Sequence, residues 1–217
     1  MTELIIGPIH SVLTMCQLPI RGSLKDEQLE VITNAGIKVA DGKIKEIADF
    51  EGLVKGFSGE IMEITSRCIA IPGLIDAHTH ICFAGNRVND YAMRQSGRSY
   101  LEIAQKGGGI RSTVNSTREA TVDHLFLLTQ KRLLRQLEMG ITTTEIKSGY
   151  GLNVETELKQ LAIAQKLQIA GFEVVPTCLA AHVVDKAAFS DENLYLEFLL
   201  SELLPEIKRQ NLSHRVD

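Results

Sequence analysis

The stretch Pro72–Ile81, PGLIDAHTHI, ends an apolar run with two histidines two residues apart. Successive side chains of an extended strand point to opposite faces, so His78 and His80 share a face, about 7 Å apart at Cα. Two imidazoles at that spacing can converge on one ion, and neutral imidazole suits zinc, iron or nickel. The same pattern also describes two polar residues at a strand end. Position decides between the readings: other strands must deliver polar residues to the same place.

Downstream, strand-like and helical runs alternate. SGRSYLEIAQKGGGI reads as a short helix ending in three glycines. STREATVDHLFLLTQKRLLRQLEMG reads as one long helix, with Ser116 and Glu119 as a capping box, Phe126, Leu133 and Leu137 near one face, and Gly140 as its stop. ITTTEIKS is β-branched and short, hence a strand. The next helix is capped by Asn153 and stopped by Gly171. FEVVPTCLAA is a strand, and SDENLYLEFLLSELLPEIKRQ a helix that Pro205 breaks or kinks. SHRVD looks like the start of a further strand. Such alternation means parallel βαβ units. Two architectures compete, a doubly wound sheet and a (β/α)8 barrel. No GxGxxG follows the first strand, which disfavours the dinucleotide-binding version of the former. Polar clusters follow each strand: HTH, then KSGYG, then AAH. In a barrel these meet at the C-terminal rim, where active sites lie. The barrel is the preferred reading.

The first third is β-rich. AGIKVADGKIKEIADF is a hairpin of two alternating runs, Ile37–Ala40 and Lys43–Ile47, joined at Asp41-Gly42. Pro72-Gly73 reads as a hinge between a small β-domain and the alternating strands and helices. The expected domains are residues 1–67 and 68–217.

Composition sets the frame for function. Hydrophobic residues make up 44% and charged residues 23% of the 217, an ordinary globular balance. A net charge of -4 offers no basic footprint, so nucleic acid is not an expected partner. No apolar run is long enough for a membrane span, and the N-terminus lacks the pattern of an export signal; a cytoplasmic protein is expected. Cys16, Cys68, Cys82 and Cys178 are widely spaced without a CxxC pair, and read as free thiols.

Candidate residues beyond the histidine pair are few. His182 follows the third strand. Arg87, on the loop after His80, carries a fork of donors that suits a carboxylate. Tyr150 lies between Gly149 and Gly151, which permit a tight turn and close backbone approach. The glycines of GGGIRST, Gly107 to Thr113, are either backbone donors for an anion or a connector. His124, inside the long helix, reads as structural.

Together these motifs resemble the amidohydrolase superfamily, whose members thread a small β-sandwich from both chain ends and carry a metal-bearing (β/α)8 barrel between. More narrowly, HTHICFAGNRVNDYAMRQSGRSYLEIAQKGGGIRSTVNSTREA, GITTTEIKSGYGL and PTCLAAH resemble the imidazolonepropionase family of histidine degradation. The resemblance implies hydrolysis of the ring amide of 4-imidazolone-5-propanoate to N-formimidoyl-L-glutamate, with one zinc or iron ion. It implies that His78 and His80 are metal ligands and that Arg87, Tyr150 and His182 bind substrate. It also implies two further ligands, a histidine after the fifth strand and an aspartate after the eighth, which would lie beyond Asp217. A barrel takes about 250 residues, and too few follow the hinge for eight units. The expectation is therefore the first half of a barrel, about three βα units and the start of a fourth strand, preceded by part of the sandwich. Such a chain is expected to lack activity alone, and to form a homo-oligomer or to need its C-terminal half. Two other readings remain: a non-catalytic half-barrel that self-associates or binds a complementary chain, and a hydrolase or deaminase acting on another cyclic amide or aminated ring.

Overall fold

The structure is a computed structural model that describes residues 3–186 and 188–217. The chain divides into two compact units, Met1–Pro72 and Gly73–Asp217.

The first unit is built on one five-stranded sheet. Its strands are β1 (Glu3–Leu13), β2 (Val31–Ala40), β3 (Lys43–Asp49), β4 (Glu60–Glu63) and β5 (Ile69–Ala70), with a short helix α1 (Phe50–Val54) after β3. The order is β3-β2-β1-β4, and β5 pairs with the distal part of β1. The β2–β3 hairpin turns at Asp41 and Gly42 with φ of 54° and 70°, as expected of an Asp-Gly turn that matches strand twist. A bulge interrupts β1 between Ile6 and Ile9. A Cβ on Gly7 there would come within 2.7 Å of the Phe50 ring, so the missing side chain is what lets α1 pack on the strand. Ile9, Val12 and Ala35 form the buried centre of the unit. The division falls after Pro72 rather than after residue 67, because Ile69 and Ala70 pair with Ser11 and Val12.

The second unit opens with β6 (Leu74–Asp76). Four helices follow: α2 (Val88–Gln95), α3 (Tyr100–Gln105), α4 (Ile110–Glu119) and α5 (Val122–Glu138). Then come β7 (Ile141–Lys147), α6 (Val154–Ile169), β8 (Glu173–Thr177), α7 (Glu192–Phe198) and α8 (Leu204–Arg209). β6, β7 and β8 are parallel neighbours in chain order. Val216 adds a parallel bridge to Cys178, with Asp217 N donating to Cys178 O at 2.9 Å. SHRVD thus begins a fourth strand. A doubly wound sheet reverses its strand order at a switch point; this one advances strand by strand, as a barrel does.

Two expectations need correction. The long helix is two helices, broken at Ala120. Ser116 lies inside α4, and its carbonyl accepts from Ala120 N, so it caps nothing; Thr121 caps α5 by accepting from His124 N at 3.2 Å. The break is held from outside, because Lys159 Nζ of α6 donates to the carbonyls of Thr117, Arg118 and Ala120 at 2.9, 3.1 and 2.8 Å. Those are C-terminal carbonyls that α4 leaves without partners. The buried face of α5 is also rotated from the expected one. It carries Leu125, Thr129, Leu133 and Gln136, while Leu137 is exposed. The two polar members are satisfied: Thr129 donates to Leu125 O, and Gln136 links Thr144 of β7 to Asp76 of β6.

The Asn153 cap and the Gly140 and Gly171 stops form as expected, both glycines having positive φ. The last helical stretch passes through a π-type turn, Leu199–Leu203, and Pro205 sits in the first turn of α8, where its missing N–H costs little. Leu125, Leu133, Ile146, Ile163 and Leu167 centre one core; Leu161, Tyr195, Leu203 and Ile207 centre another beneath α7 and α8. Among the described residues no helix is long and apolar enough to cross a membrane. All four cysteines are free. Burial pushes the Cys82 thiol up to about 12, so it behaves as an inert core residue.

Candidate functional site

The carboxyl ends of β6, β7 and β8 converge on one rim, and the strand pairing explains why. Past β6 the chain stays tied to β7: Lys147 N donates to Thr79 O at 3.0 Å, and Thr79 Oγ1 donates to the Glu145 carbonyl. Thr79 is buried by these contacts. Alternation then sends His78 and His80 the other way together. Their ring centroids are 5.4 Å apart. His182, in a single 3-10 turn after β8, brings its ring to 5.7 Å from His80, and Tyr150, after β7, to 5.8 Å. Tyr150 also meets Phe83 edge-on at 6.1 Å.

Arg87 reaches the same neighbourhood through a cleft of about 330 Å³ whose lining includes Phe83, Arg87, Thr113, Arg132 and Tyr150. Arg87 Nε donates to Thr113 Oγ1 at 3.0 Å. Arg132 lies over the Phe83 ring, its Cζ 3.7 Å from the centroid, and donates from Nη1 to the carbonyls of Ile81 and Phe83 at 2.7 and 2.6 Å. The cleft is thus a cationic pocket with a phenol at one side, a shape suited to a small anionic ligand. All five residues singled out from sequence, His78, His80, Arg87, Tyr150 and His182, lie on this one face. The glycine run does not serve as a free anion cradle: Gly109 N already donates to Asp90 Oδ2 at 2.8 Å.

A charged cluster without a counterpart among the sequence candidates lies at the end of β7, near enough to His78 and His80 for their charges to interact. Lys147 Nζ is 3.0 Å from Glu145 Oε2 and 2.5 Å from Asp217 Oδ2. Thr177 donates to Glu145 Oε1 at 2.6 Å. Glu145 Oε2 is enclosed without a well-aligned hydrogen bond, so the Lys147 charge is what compensates it. Burial alone would push the Glu145 carboxyl up; the bond from Thr177 and the close Lys147 ammonium bring it below its usual range. The signal in the sequence is two charged residues at alternate positions of an otherwise β-branched strand.

Burial, then the neighbouring His182 and His78 and the Lys147 charge, hold His80 below its usual range, with Glu145 opposing. A neutral imidazole is the form that binds a metal. The donor set fits one side of a zinc- or iron-type site: two imidazoles, with a third near. It is incomplete, because no group of three or more His, Cys, Asp or Glu side chains is placed to hold an ion among the described residues.

No protein-family model matches the chain. Curated proteins do. The imidazolonepropionase of Shewanella halifaxensis is 42% identical over 202 residues, covering 88% of this chain and 47% of the relative. That of Clostridium tetani is 38% identical over 192 residues, covering 87% and 46%. Among solved structures, a triazine hydrolase variant superposes with a TM-score of 0.56 at 16% identity, covering 95% of this chain and 42% of the other. A second variant gives 0.50 at 18% identity, covering 82% and 36%. At that identity the likeness speaks for the fold alone, an amidohydrolase-type barrel in part. The chain spans about half the length of the curated relatives it matches. By sequence it resembles the N-terminal half of an imidazolonepropionase.

Proposed function

We propose that this chain is one half of a cytoplasmic metal-dependent hydrolase that opens the ring amide of 4-imidazolone-5-propanoate. Water adds across the C–N bond, hydroxyl to the carbonyl carbon and proton to the nitrogen, giving N-formimidoyl-L-glutamate. In this reading the unit Met1–Pro72 supplies part of a small β-sandwich, and the unit Gly73–Asp217 the first half of a (β/α)8 barrel. The observation that carries it is the gathering of the His78, His182 and Tyr150 rings around the His80 ring, with Arg87 in the cleft beside Tyr150.

His78 and His80 would hold the ion from this side, and such an ion would supply an acidified water at neutral pH. Arg87 is kept pointing across the cleft by Thr113 and offers its remaining donors to the propanoate. Tyr150 and His182 flank His80 and offer a hydroxyl and a ring nitrogen to the polar ring. The donors still needed for the ion belong to the other half of such an enzyme.

The test is to purify the 217-residue chain and measure bound zinc or iron, oligomeric state and turnover of imidazolonepropanoate. Weak metal binding without turnover is expected of a half site. Metal-dependent turnover by this chain alone would overturn the half-site reading. A second reading is a non-catalytic half-barrel that self-associates. It is favoured by β6, where Leu74 and Ile75 are 51% and 69% exposed, an apolar edge open to pairing. A metal-free oligomer would support it.

A further inference from the structure

We infer that Glu157, on α6, is the positioning residue for Tyr150: its carboxylate shapes the turn that presents the phenol. This rests on the reading of Tyr150 as a ligand-facing residue. Glu157 is fully buried, and its carboxylate forms no ion pair among the described residues. Oε2 accepts from Gly149 N at 2.8 Å, and Oε1 from Gly151 N and Leu152 N at 2.7 and 2.8 Å. Gln160, one turn on, accepts from Tyr150 N at 3.3 Å and donates to Cys82 O at 2.6 Å. Every backbone N–H from Gly149 to Leu152 therefore points at a side chain of α6. From outside the turn, Arg118 Nε donates to Gly151 O at 2.7 Å.

The turn's own geometry shows that it is shaped around this carboxylate. A Cβ on Gly151 would lie 2.6 Å from Glu157 N and 2.9 Å from Glu157 Oε1. Leu152 is held at φ 54°, a left-handed conformation unusual for leucine. Convergent backbone N–H groups form an anion nest, here filled by the protein's own carboxylate. That leaves the Tyr150 side chain, which makes no bond to Glu157, to face His80, Phe83 and the cleft.

The test is Glu157→Gln, which keeps shape and burial but turns an N–H₂ toward at least one backbone N–H. With 3-fluorotyrosine incorporated, the Tyr150 fluorine resonance should move or broaden in the variant, while those of Tyr91 and Tyr100 stay. An unmoved Tyr150 resonance overturns the inference, whatever the protein's substrate. If the variant does not fold, hydrogen exchange in the unmodified protein decides. Gly149, Gly151 and Leu152 amides protected as strongly as the β7 strand support the clamp; fast exchange sinks it. The link to function is a double-mutant cycle with imidazole-propanoate as the probe. Glu157→Gln should weaken binding about tenfold in the native background and leave Tyr150→Phe/Glu157→Gln no weaker than Tyr150→Phe alone. Equal losses in both backgrounds would make Glu157 merely structural. Absence of probe binding to the native chain would count against the function and leave the fluorine result standing.

Discussion

Lys147→Met tests what the charged cluster does for the second unit. The Lys147 and Glu145 side chains are 4% and 11% exposed, and their charges are 3.0 Å apart. Asp217, the lysine's other partner, is half exposed and contributes little, because solvent screens such a contact. Methionine keeps the volume and removes the ammonium. Glu145 then keeps the Thr177 bond on Oε1, and its enclosed Oε2 loses the ammonium, leaving only the lesser influence of His78. Breaking a buried pair from one side costs about 3–5 kcal/mol. The surviving Thr177 bond and the open rim put this case at the low end, about 3 kcal/mol at pH 7. The sign with pH comes from Glu145. In the native protein its carboxyl is held low, so the pair's stabilisation is present above the unfolded value of about 4.3 and is lost as pH falls through the folded value. In the variant burial acts without the lysine and moves the carboxyl up, so Glu145 takes a proton on mild acidification and the penalty shrinks. Lysine itself does not titrate in this window: burial acts to lower it, but its contacts with Asp217 and Glu145 together raise it. Urea unfolding followed by far-UV circular dichroism at pH 7 and pH 5 reads the gap between native and variant. It should narrow at pH 5, and Glu145→Gln added to Lys147→Met should restore more than half of it at pH 7. A gap of the same size at both pH values, or no rescue, refutes the reasoning.

The same geometry sets three further outcomes. Asn153→Ala removes the side chain that accepts from Thr156 N at 2.8 Å; it should cost about 1 kcal/mol, read as a melting temperature lower by about 2–4 °C. His78→Ala or His80→Ala should each reduce zinc retention in competition with a chromogenic chelator, whereas His124→Ala, on the exposed first turn of α5, should leave it unchanged; equal retention in all three would remove the pair from the metal site. A thiol reagent added to the native protein should label exposed Cys16 first and leave buried Cys82 and Cys178 unmodified until denaturant is added, and early labelling of Cys82 would contradict its burial and raised pKa.

The features legible in the sequence are those decided by neighbours in the chain. The Asp41-Gly42 turn, the Asn153 cap and the Gly140 and Gly171 stops each depend on one or two residues and their own φ. The helix break at Ala120 was not legible because its stabilising cation, Lys159, comes from the next helix. Hydrophobic periodicity misplaced the face of α5 for a related reason. Thr129 and Gln136 are polar by type yet buried, since their partners in β6, β7 and α5 satisfy them, and no scale of residue types records a partner.

The site divides along the same line. His78, His80, Arg87, Tyr150 and His182 come after strands, and a parallel sheet carries the residues beyond its strand ends to one rim; position along the chain was enough to group them. Glu145, Lys147 and Glu157 support that rim from below, and their types point the wrong way. A glutamate on an amphipathic helix reads as a solvated residue, and Glu157 is buried only because three backbone N–H groups aim at it. Those donors can close on the carboxylate because Gly151 has no Cβ to keep the α6 backbone away. The glycine was visible as a permission for close approach, without the identity of its neighbour. The carboxylate and the glycine are halves of one interaction, so each looks dispensable alone. Replacing either should disturb the same turn, and with it the same tyrosine.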